Sequence, residues 1–261
     1  MLLAIDAGNT NTTFAVFAGD DLKGEWRMAT KATHTADEYA VWLTQLAELA
    51  GLAITDVDAA IIACVVPQAL FDLRKMCRTY FKADPLVVGE PGVELGIRNL
   101  LARPQDVGAD RLVNAVAAHA MYSGPTVVVD FGTATNIDIV DSHGNYHGGI
   151  LAPGVNLNLE ALHQASAKLP RIAVARPERV IGKDTISAMQ SGVYWGYISL
   201  IEGLVRRIAE EYGEPMTVIG TGGLAPLFAG GTDVIAHVEP DLTMRGLLHI
   251  ARRNGLVRDD A

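Results

Sequence analysis

Residues 6–13 of the chain read DAGNTNTT, and this stretch decides how the rest of the sequence is interpreted. It follows an apolar run at residues 1–5 and precedes a second one at residues 14–17. Two such runs joined by a short polar turn are typical of a β-hairpin. The turn contains a glycine, which lets a backbone approach a ligand closely, and a row of short amide and hydroxyl side chains. The sequence therefore predicts a hairpin whose turn is suited to binding phosphate oxygens.

The same arrangement returns in the second half of the chain. Residues 126–129 are apolar, residues 130–136 read DFGTATN, and residues 137–140 are apolar again. Further along each half, a buried-strand pattern leads to a helix, at residues 59–66 and at residues 216–219. These two matches indicate a duplicated α/β unit, although strand–glycine–strand patterns also recur by coincidence.

The division between the repeated halves is expected near the YSGP turn at residues 122–125. We predict an N-terminal half at residues 1–121 and a C-terminal half at residues 122–261. The remaining periodicities predict further strands at residues 24–28 and 85–88 and a glycine-rich bend at 147–154. They predict helices at 36–50, 67–80, 106–121 and 185–212, and one that follows the bend and ends at residue 169.

The composition limits the classes of protein to which the chain can belong. With 49% hydrophobic and 20% charged residues among 261, it is not a mainly disordered chain. A net charge of −9 argues against binding to nucleic acid. The longest wholly apolar stretch, residues 59–66, is far shorter than the roughly 20 residues that span a bilayer, so no membrane partner is expected. Cys64 and Cys77 cannot form a disulfide framework, which favours a reducing, cytoplasmic location.

The glycine turns follow strands, where a backbone that approaches closely can bind phosphate. Asp6 could hold a hydrated Mg²⁺, while Asn9, Thr10 and Thr12 could donate hydrogen bonds to phosphate oxygens. Either turn alone also fits an ordinary capped β-turn; two of them, with GTGG at residues 220–223, favour a nucleotide site. The pattern is neither a Walker A loop nor a Rossmann fingerprint, because the first turn leads into a strand.

The arrangement resembles the actin, sugar-kinase and Hsp70-like ATPase superfamily, in which two similar halves hold a nucleotide. Residues 108–111, GADR, add a further element, with Asp110 near the start of a helix. The ordered set of DAGNTNT, GADR, DFGTAT, GGILAPG, MQSG and TGG is similar to the type III pantothenate kinases over nearly the whole chain. The resemblance implies an α/β fold of duplicated actin-like (ribonuclease H-like) ATPase domains with mixed sheets and flanking helices.

The resemblance also implies a reaction and a set of site residues. It implies ATP-dependent phosphorylation of pantothenate, the first step of coenzyme A synthesis, with Asp110 as general base. Mg²⁺ would accompany ATP at Asp6, and a monovalent cation, K⁺ or NH₄⁺, would lie at Asp130. The partner in a homodimer, with the active site near the subunit interface, would contribute Thr185. ATP contacts would come from Asp6, Ala7, Gly8, Asn9, Thr10, Asn11, Thr12, Thr13, Thr133 and Gly222, and pantothenate contacts from Gly108, Ala109, Asp110, Arg111 and Thr185.

Two positions depart from the pattern of the family. Many members have two threonines after DFGTA, where this chain has Thr135 and Asn136. Many also have a tyrosine seven residues before the glycine of GADR, where this chain has Leu101. These departures leave open a regulatory or accessory protein that binds nucleotide without turnover. A related kinase that acts on a different small molecule is a further alternative.

Overall fold

The computed structural model describes residues 1–165 and 169–257, and these contain ten strands and seven α-helices. The strands are β1 (Leu2–Ala7), β2 (Asn11–Ala18), β3 (Asp21–Ala29), β4 (Ala59–Cys64), β5 (Leu86–Val87), β6 (Thr126–Phe131), β7 (Ala134–Val140), β8 (Tyr146–Pro153), β9 (Thr217–Thr221) and β10 (His237–Val238). The helices are α1 (Ala36–Leu49), α2 (Pro67–Tyr80), α3 (Ala109–Met121), α4 (Val155–Ala165), α5 (Thr185–Tyr212), α6 (Ala225–Ala229) and α7 (Leu242–Arg253). Among these described helices, none is both long and apolar enough to cross a membrane.

The chain folds into two compact units. The first comprises Met1–Met121 together with the chain from Leu242 onward, and the second comprises Tyr122–Asp241. In the first unit the strand order is β3-β2-β1-β4-β5, with β1 and β2 antiparallel and β1 and β4 parallel. In the second unit the order is β10-β9-β6-β7-β8, with β6 and β7 antiparallel and β6 and β9 parallel. The two sheets therefore have the same topology, which confirms the predicted fold class of duplicated units.

The sheet of the first unit is buried on both faces, because alternate residues of a strand point to opposite sides. Leu3 and Ile5 of β1 belong to one hydrophobic cluster, which includes residues of α1 and α2. Leu2 and Ala4 belong to a second cluster, which includes residues of α3 and α7. Because helices cover both faces of this sheet, β1 and β4 are apolar on both faces.

The last helix is assigned to a different unit from the one expected. The sequence interpretation placed residues 242–261 in the second half, and this is wrong for α7, which packs with α3 in the first unit. The approach is close because position 246 is a glycine. A Cβ built on Gly246 would overlap the backbone oxygen of Val113 and lie 2.7 Å from its Cγ1.

The second unit also corrects one local expectation. Residues 147–154 were expected to form a bend, but they belong mostly to β8, at the edge of the sheet. Gly148 and Gly149 pair with Ile139 and Asp138, and the register shifts beside them. Gly148 has a φ of 114°, which a residue with a side chain rarely adopts. Glycine is therefore favoured where the pairing of this edge strand is irregular. The helix expected up to residue 169 is observed as α4, and its last expected turn, residues 166–168, lies outside the described residues.

Candidate active site

The loop formed by residues 8–10 lies at the carboxyl end of β1, between the two strands of the predicted hairpin. It closes through a hydrogen bond of 3.0 Å that the Gly8 amide donates to the Asn11 carbonyl oxygen. A Cβ built on Gly8 would lie 3.2 Å from that same oxygen, so the close turn favours glycine. Asn9, Thr10 and Asn11 are exposed, while the preceding Asp6 is half-buried at the end of the strand. The loop therefore presents short polar groups to solvent beside one carboxylate.

A threonine that the sequence interpretation did not identify holds this loop in place. The Thr30 hydroxyl donates to the Gly8 carbonyl oxygen at 2.7 Å, and the Thr30 amide donates to the Thr10 carbonyl oxygen at 2.9 Å. The Thr30 and Thr12 hydroxyls lie 2.8 Å apart and share a hydrogen bond. Thr12 is fully buried, so its side chain supports the loop from below rather than lying on its surface. The geometry distinguishes Thr12 from the exposed polar residues around it.

Asp110 lies in the first turn of α3, where the helix dipole favours an anion. Its Oδ1 accepts a hydrogen bond of 2.9 Å from the Arg111 amide, which fixes the orientation of the carboxylate. A Cβ built on Gly108 would overlap this Oδ1 and would lie 3.3 Å from Cγ1 of Val65. Gly108 therefore leaves a recess that the carboxylate occupies. Asp110 is only half-buried, so solvent or a substrate can reach it.

The Asp110 recess and the Gly8 loop are connected through a single residue of the first unit. Val65 follows β4, and its amide donates a hydrogen bond of 3.0 Å to the carbonyl oxygen of Ala7. The same Val65 side chain faces Gly108. Because β1 and β4 are parallel, their carboxyl ends lie at the same edge of the sheet. The structure thus brings two sequence motifs, DAGNTNTT and GADR, to one edge of one sheet, as an open α/β sheet commonly does at its ligand site.

The second unit contains a corresponding site at the end of β6. Asp130 is half-buried there, and the following turn closes through a hydrogen bond of 3.1 Å from the Gly132 amide to the Ala134 carbonyl oxygen. Gly222 follows the neighbouring strand β9 with a φ of 86°. A Cβ on Gly222 would lie 2.7 Å from Asp130 Oδ1 and 2.8 Å from the Phe131 carbonyl oxygen. The structure therefore brings together Asp130 and Gly222, which are far apart in sequence.

Asn136, one of the two departures from the family pattern, lies directly across the sheet from Asp130. The two residues are partners in the antiparallel ladder of β6 and β7, which places both side chains on the same face. Asn136 is 9% exposed, and its Oδ1 is buried without a hydrogen-bond partner among the described residues. A buried carbonyl oxygen of this kind favours a bound donor or cation. The other departure, Leu101, is half-buried in the loop before α3.

Thr133 lies on the exposed turn between β6 and β7, and a glycine not included among the expected site residues packs beneath it. A Cβ on Gly154 would overlap the Thr133 carbonyl oxygen and lie 3.0 Å from that of Gly132. Gly154 is the last residue of the motif GGILAPG, so this glycine could have been identified from the sequence. The pattern could not reveal its partner, because the two turns are about twenty residues apart and meet only through the sheet.

Thr185 is located elsewhere in the second unit, at the first position of α5. Asp184 caps this helix by accepting a hydrogen bond of 2.9 Å from the Ser187 amide, so the start of the helix is well defined. Thr185 lines a mainly apolar groove of about 760 Å³ between α4 and α5, together with Asn158, Met189 and Tyr197. Within the described chain, neither Asp130 nor Gly222 lines this groove. Thr185 therefore belongs to a surface of its own.

Comparisons with known proteins find relatives over nearly the whole chain. The family model of the type III pantothenate kinases matches residues 2–207. A type III pantothenate kinase from Rhodospirillum rubrum is 65% identical over 254 residues, which cover 97% of this chain and 99% of that protein. Another, from Paramagnetospirillum magneticum, is 63% identical and covers 97% of this chain and 98% of its own.

Solved structures with low sequence identity share the fold. A protein from Campylobacter jejuni, described as a Baf family transcriptional activator, has a TM-score of 0.63 at 20% identity, with 98% of this chain and 100% of that chain covered. A protein from Sinorhizobium meliloti, described as a 2-dehydro-3-deoxygalactonokinase, has a TM-score of 0.60 at 14% identity, with 100% and 99% covered. The solved structures share the fold alone, whereas the family model and the relatives of 65% and 63% identity show that the chain belongs to the type III pantothenate kinase family.

Proposed function

We propose that the chain transfers the γ-phosphoryl group of ATP to pantothenate, giving 4'-phosphopantothenate, the first step of coenzyme A synthesis, with Asp110 as general base. The observation that carries the proposal is the recess beside Gly108, in which the Asp110 carboxylate is held by the Arg111 amide at the edge of the sheet that also carries the Gly8 loop. The family to which the chain belongs supports ATP and pantothenate as substrates.

Asp110 would act on the primary hydroxyl of pantothenate. Its carboxylate accepts a hydrogen bond from that hydroxyl, which orients the oxygen towards the γ-phosphorus. As the new oxygen–phosphorus bond forms, the bond between the γ-phosphorus and the bridging oxygen breaks and ADP leaves. The hydroxyl proton passes to Asp110 late in this step, because phosphoryl transfer needs alignment and charge neutralisation more than covalent help. Gly108, Ala109 and Arg111 would hold the substrate beside the base.

The Gly8 loop would hold the phosphates of ATP. Asn9, Thr10, Asn11 and Thr13 are exposed or half-exposed and can contact phosphate oxygens, whereas the buried Thr12 would act by maintaining the shape of the loop. Asp6 fits Mg²⁺, because this ion prefers one or two carboxylates combined with water and phosphate oxygens. When bound, Mg²⁺ supplies positive charge that offsets the charge of the phosphates. In the second unit, Thr133 and Gly222 would contribute to nucleotide binding.

The end of β6 fits a monovalent cation. Asp130 supplies a carboxylate and Asn136 a buried carbonyl oxygen across the ladder, and both are ligands that a hard cation accepts. A K⁺ or NH₄⁺ ion there would satisfy the Asn136 Oδ1 and offset phosphate charge. The Asn136 substitution therefore keeps a ligand at this position, which supports an active kinase rather than a binding-only protein.

We also propose a cytoplasmic homodimer in which the partner contributes Thr185. Several large apolar side chains near Thr185 are exposed, which is unusual for a surface that stays in water. Leu162 lines the groove, and the others lie on α4, in the segment before α5 and in its first turn: Leu157, Val180, Ile181 and Ile186. A second copy of the chain would cover them. Cys64 and Cys77 are both free thiols, as expected in a reducing compartment.

Release of ADP tests the proposed function directly. We expect pantothenate-dependent ADP release in the presence of Mg²⁺ and K⁺, with lower rates when K⁺ is omitted. Asp110→Asn should reduce kcat by about 10²–10⁴-fold, the usual contribution of a positioned base, while the thermal midpoint stays close to that of the wild type. Nucleotide binding without pantothenate-dependent turnover would favour the accessory interpretation, and turnover of a different alcohol would favour a related kinase. Activity retained in Asp110→Asn would remove Asp110 from the role of base.

A further inference from the structure

A second cavity lies in the first unit, away from the residues assigned to the reaction. It has a volume of about 620 Å³ and is lined by residues 94–97, the last turns of α3 and the second half of α7. Four of its lining residues carry nitrogen groups that can bind anions: His119, His249, Arg252 and Arg253. This concentration is notable because the chain as a whole has a net charge of −9.

The two arginines are held in defined positions. Arg252 forms an ion pair of 2.6 Å with Asp20, and its side chain is 21% exposed. Arg253 packs its guanidinium group onto Gly96, where a Cβ would overlap Nε. Gly96 has a φ of 80°, so a glycine is favoured at this position for both reasons. Within residues 1–165 and 169–257, no carboxylate forms an ion pair with Arg253. The cavity thus retains cationic capacity.

The two imidazole groups add hydrogen-bonding nitrogens to the cavity. Burial lowers the pKa of His249, and the charges of Arg252 and Arg245 lower it further, while Asp20 opposes them. His119 lines the same cavity from the last turn of α3. Glu94 is the one acidic residue in the lining, and its main chain is tied to Asn254, whose Oδ1 accepts from the Glu94 amide at 2.9 Å. An anion in the cavity would favour protonation of His249.

We propose that this cavity binds a small molecule through a phosphate group. Guanidinium groups present planar pairs of donors that match phosphate oxygens, and the cavity combines two arginines with two imidazoles. Leu95, Ile97 and Val116 form apolar walls that suit the remainder of such a molecule. The cavity is distinct from the Asp110 recess. Asp110 is in the first turn of α3 and His119 in its last, nine residues on, or about 13 Å along the helix axis.

Histidine NMR with inorganic phosphate tests this proposal on the full-length protein. The chain has seven histidines, and two line the cavity, so the other five serve as internal controls. At constant pH and ionic strength, with chloride as the balancing anion, phosphate should shift the imidazole signals of His119 and His249 in a saturable way. The pKa of His249 should rise in the bound state, because the added negative charge stabilises the imidazolium.

Arg253→Gln removes one guanidinium group and should weaken phosphate binding at this site by about tenfold or more, the effect of losing one charged hydrogen bond. His119→Gln provides a second variant on a different helix and should also weaken it. Arg78→Gln on α2 is the matched control, because it makes the same change in charge at an exposed position, and it should leave binding unchanged. Pantothenate-dependent activity should be retained in all three variants.

Phosphate that binds only at the Gly8 loop would leave the signals of His119 and His249 unshifted, which would overturn the proposal. Equal, non-saturating shifts of all seven histidines would do the same, because they indicate screening rather than a site. Binding that Arg253→Gln and His119→Gln both leave unchanged would place the phosphate outside this cavity. None of these results bears on the kinase reaction, which is measured separately by ADP release.

Discussion

At the scale of single residues, the site depends on glycines, because they lack the Cβ that would overlap neighbouring groups. Gly108 makes room for the Asp110 carboxylate, Gly222 for that of Asp130, and Gly154 for the backbone of the Thr133 turn. In each case a Cβ would occupy space that a functional group or its supporting turn requires. The excess of glycine in the composition, 26 of 261 residues, is therefore partly explained by close approaches at strand ends.

Gly108→Ala tests this interpretation beside Asp110, the proposed general base. The added Cβ would overlap Oδ1 of Asp110, which is the end of a flexible side chain, so the carboxylate should move while the fold remains intact. We expect kcat/KM for pantothenate to fall by about 10²-fold, as small misplacements of catalytic groups can cause. The measurement is the steady-state rate of ADP release, accompanied by the thermal midpoint.

The matched control for this variant is Gly203→Ala, within α5. A Cβ there would lie 3.5 Å from Arg207 Nη1, which is ordinary contact. Its activity should match that of the wild type. Equal activity in Gly108→Ala and the wild type would show that the recess is not required for the reaction.

The sequence predicted the site residues that lie within one motif, but not those that join motifs. The turns at Gly8 and Gly132 were identified from local glycine and hydroxyl patterns, and both lie at strand ends. Thr30 had no such signal, because it meets Gly8 across 22 residues of chain through the β2–β3 pairing. Val65 is likewise an ordinary apolar residue in sequence, and only the parallel pairing of β1 and β4 shows that it links Ala7 to Gly108.

At the scale of elements, α7 shows why the C-terminal part of the chain was not predicted. Its sequence, LTMRGLLHIARR, has a glycine in its interior, which normally lowers the expectation of a helix. Gly246 is present because α7 approaches α3 closely, and this reason is visible only in three dimensions. Leu247 and Ile250 are fully buried on the same helix. Tertiary packing therefore overrides local preference at this position.

Gly246→Ala should destabilise the first unit. The Cβ would overlap the carbonyl oxygen of Val113, which is backbone and cannot turn away, so one helix must shift. Overpacking of this kind costs about 1–3 kcal/mol. Urea unfolding should show this loss, whereas Gly203→Ala, with no such overlap, should be neutral or stabilising by up to about 1 kcal/mol. An unchanged free energy of unfolding in Gly246→Ala would mean that the two helices separate at little cost.

The turn between β7 and β8 depends on one carboxylate. Burial alone would raise the pKa of Asp141, but hydrogen bonds from His147, Asn145 and the His143 amide outweigh it, and the pKa falls well below its usual range. The His147 ring lies 2.9 Å from Asp141 Oδ2, so this side chain takes part in the turn. A lowered pKa means that the ionised form stabilises the fold.

Asp141→Asn should therefore lower the free energy of unfolding at pH 7 by about 1–3 kcal/mol, because it leaves buried donors with a weaker acceptor. The stabilisation by Asp141 is complete above its unfolded pKa of about 3.9 and is lost as the pH falls towards the folded pKa. The difference between wild type and variant in urea unfolding should accordingly be smaller at about pH 2.5 than at pH 7, with the decrease beginning below about pH 4. Asp21→Asn, at an exposed pair with Lys23, should show almost no difference at either pH. A constant difference across this range would contradict the assigned charge.

At the scale of the whole molecule, each of the two units carries residues that the proposed function uses. The first unit holds the Gly8 loop and Asp110, and the second holds Asp130, Thr133 and Gly222 at the equivalent edge of an equivalent sheet. The duplicated topology was predictable, because both halves repeat a strand, a glycine turn and a strand at similar spacing. Thr185 belongs to no comparable repeat, because it lies in a long helix of the second unit, at a mainly apolar groove.

Mixed dimers test whether Thr185 acts in the partner's active site. Asp110→Asn and Thr185→Val should each be poorly active alone. If each site combines Asp110 of one subunit with Thr185 of the other, a mixed dimer contains one intact site.

Random exchange would then restore about a quarter of the wild-type rate, since about half of the dimers are mixed and half of their sites are intact. The measurement is ADP release after subunit exchange, and the mixed species isolated by two different tags should show about half of the wild-type rate. Two differently tagged Asp110→Asn chains, mixed in the same way, are the control and should remain inactive. A rate no higher than the mean of the two variants would place Thr185 and Asp110 in the same subunit's site, because no exchange could then rebuild either one.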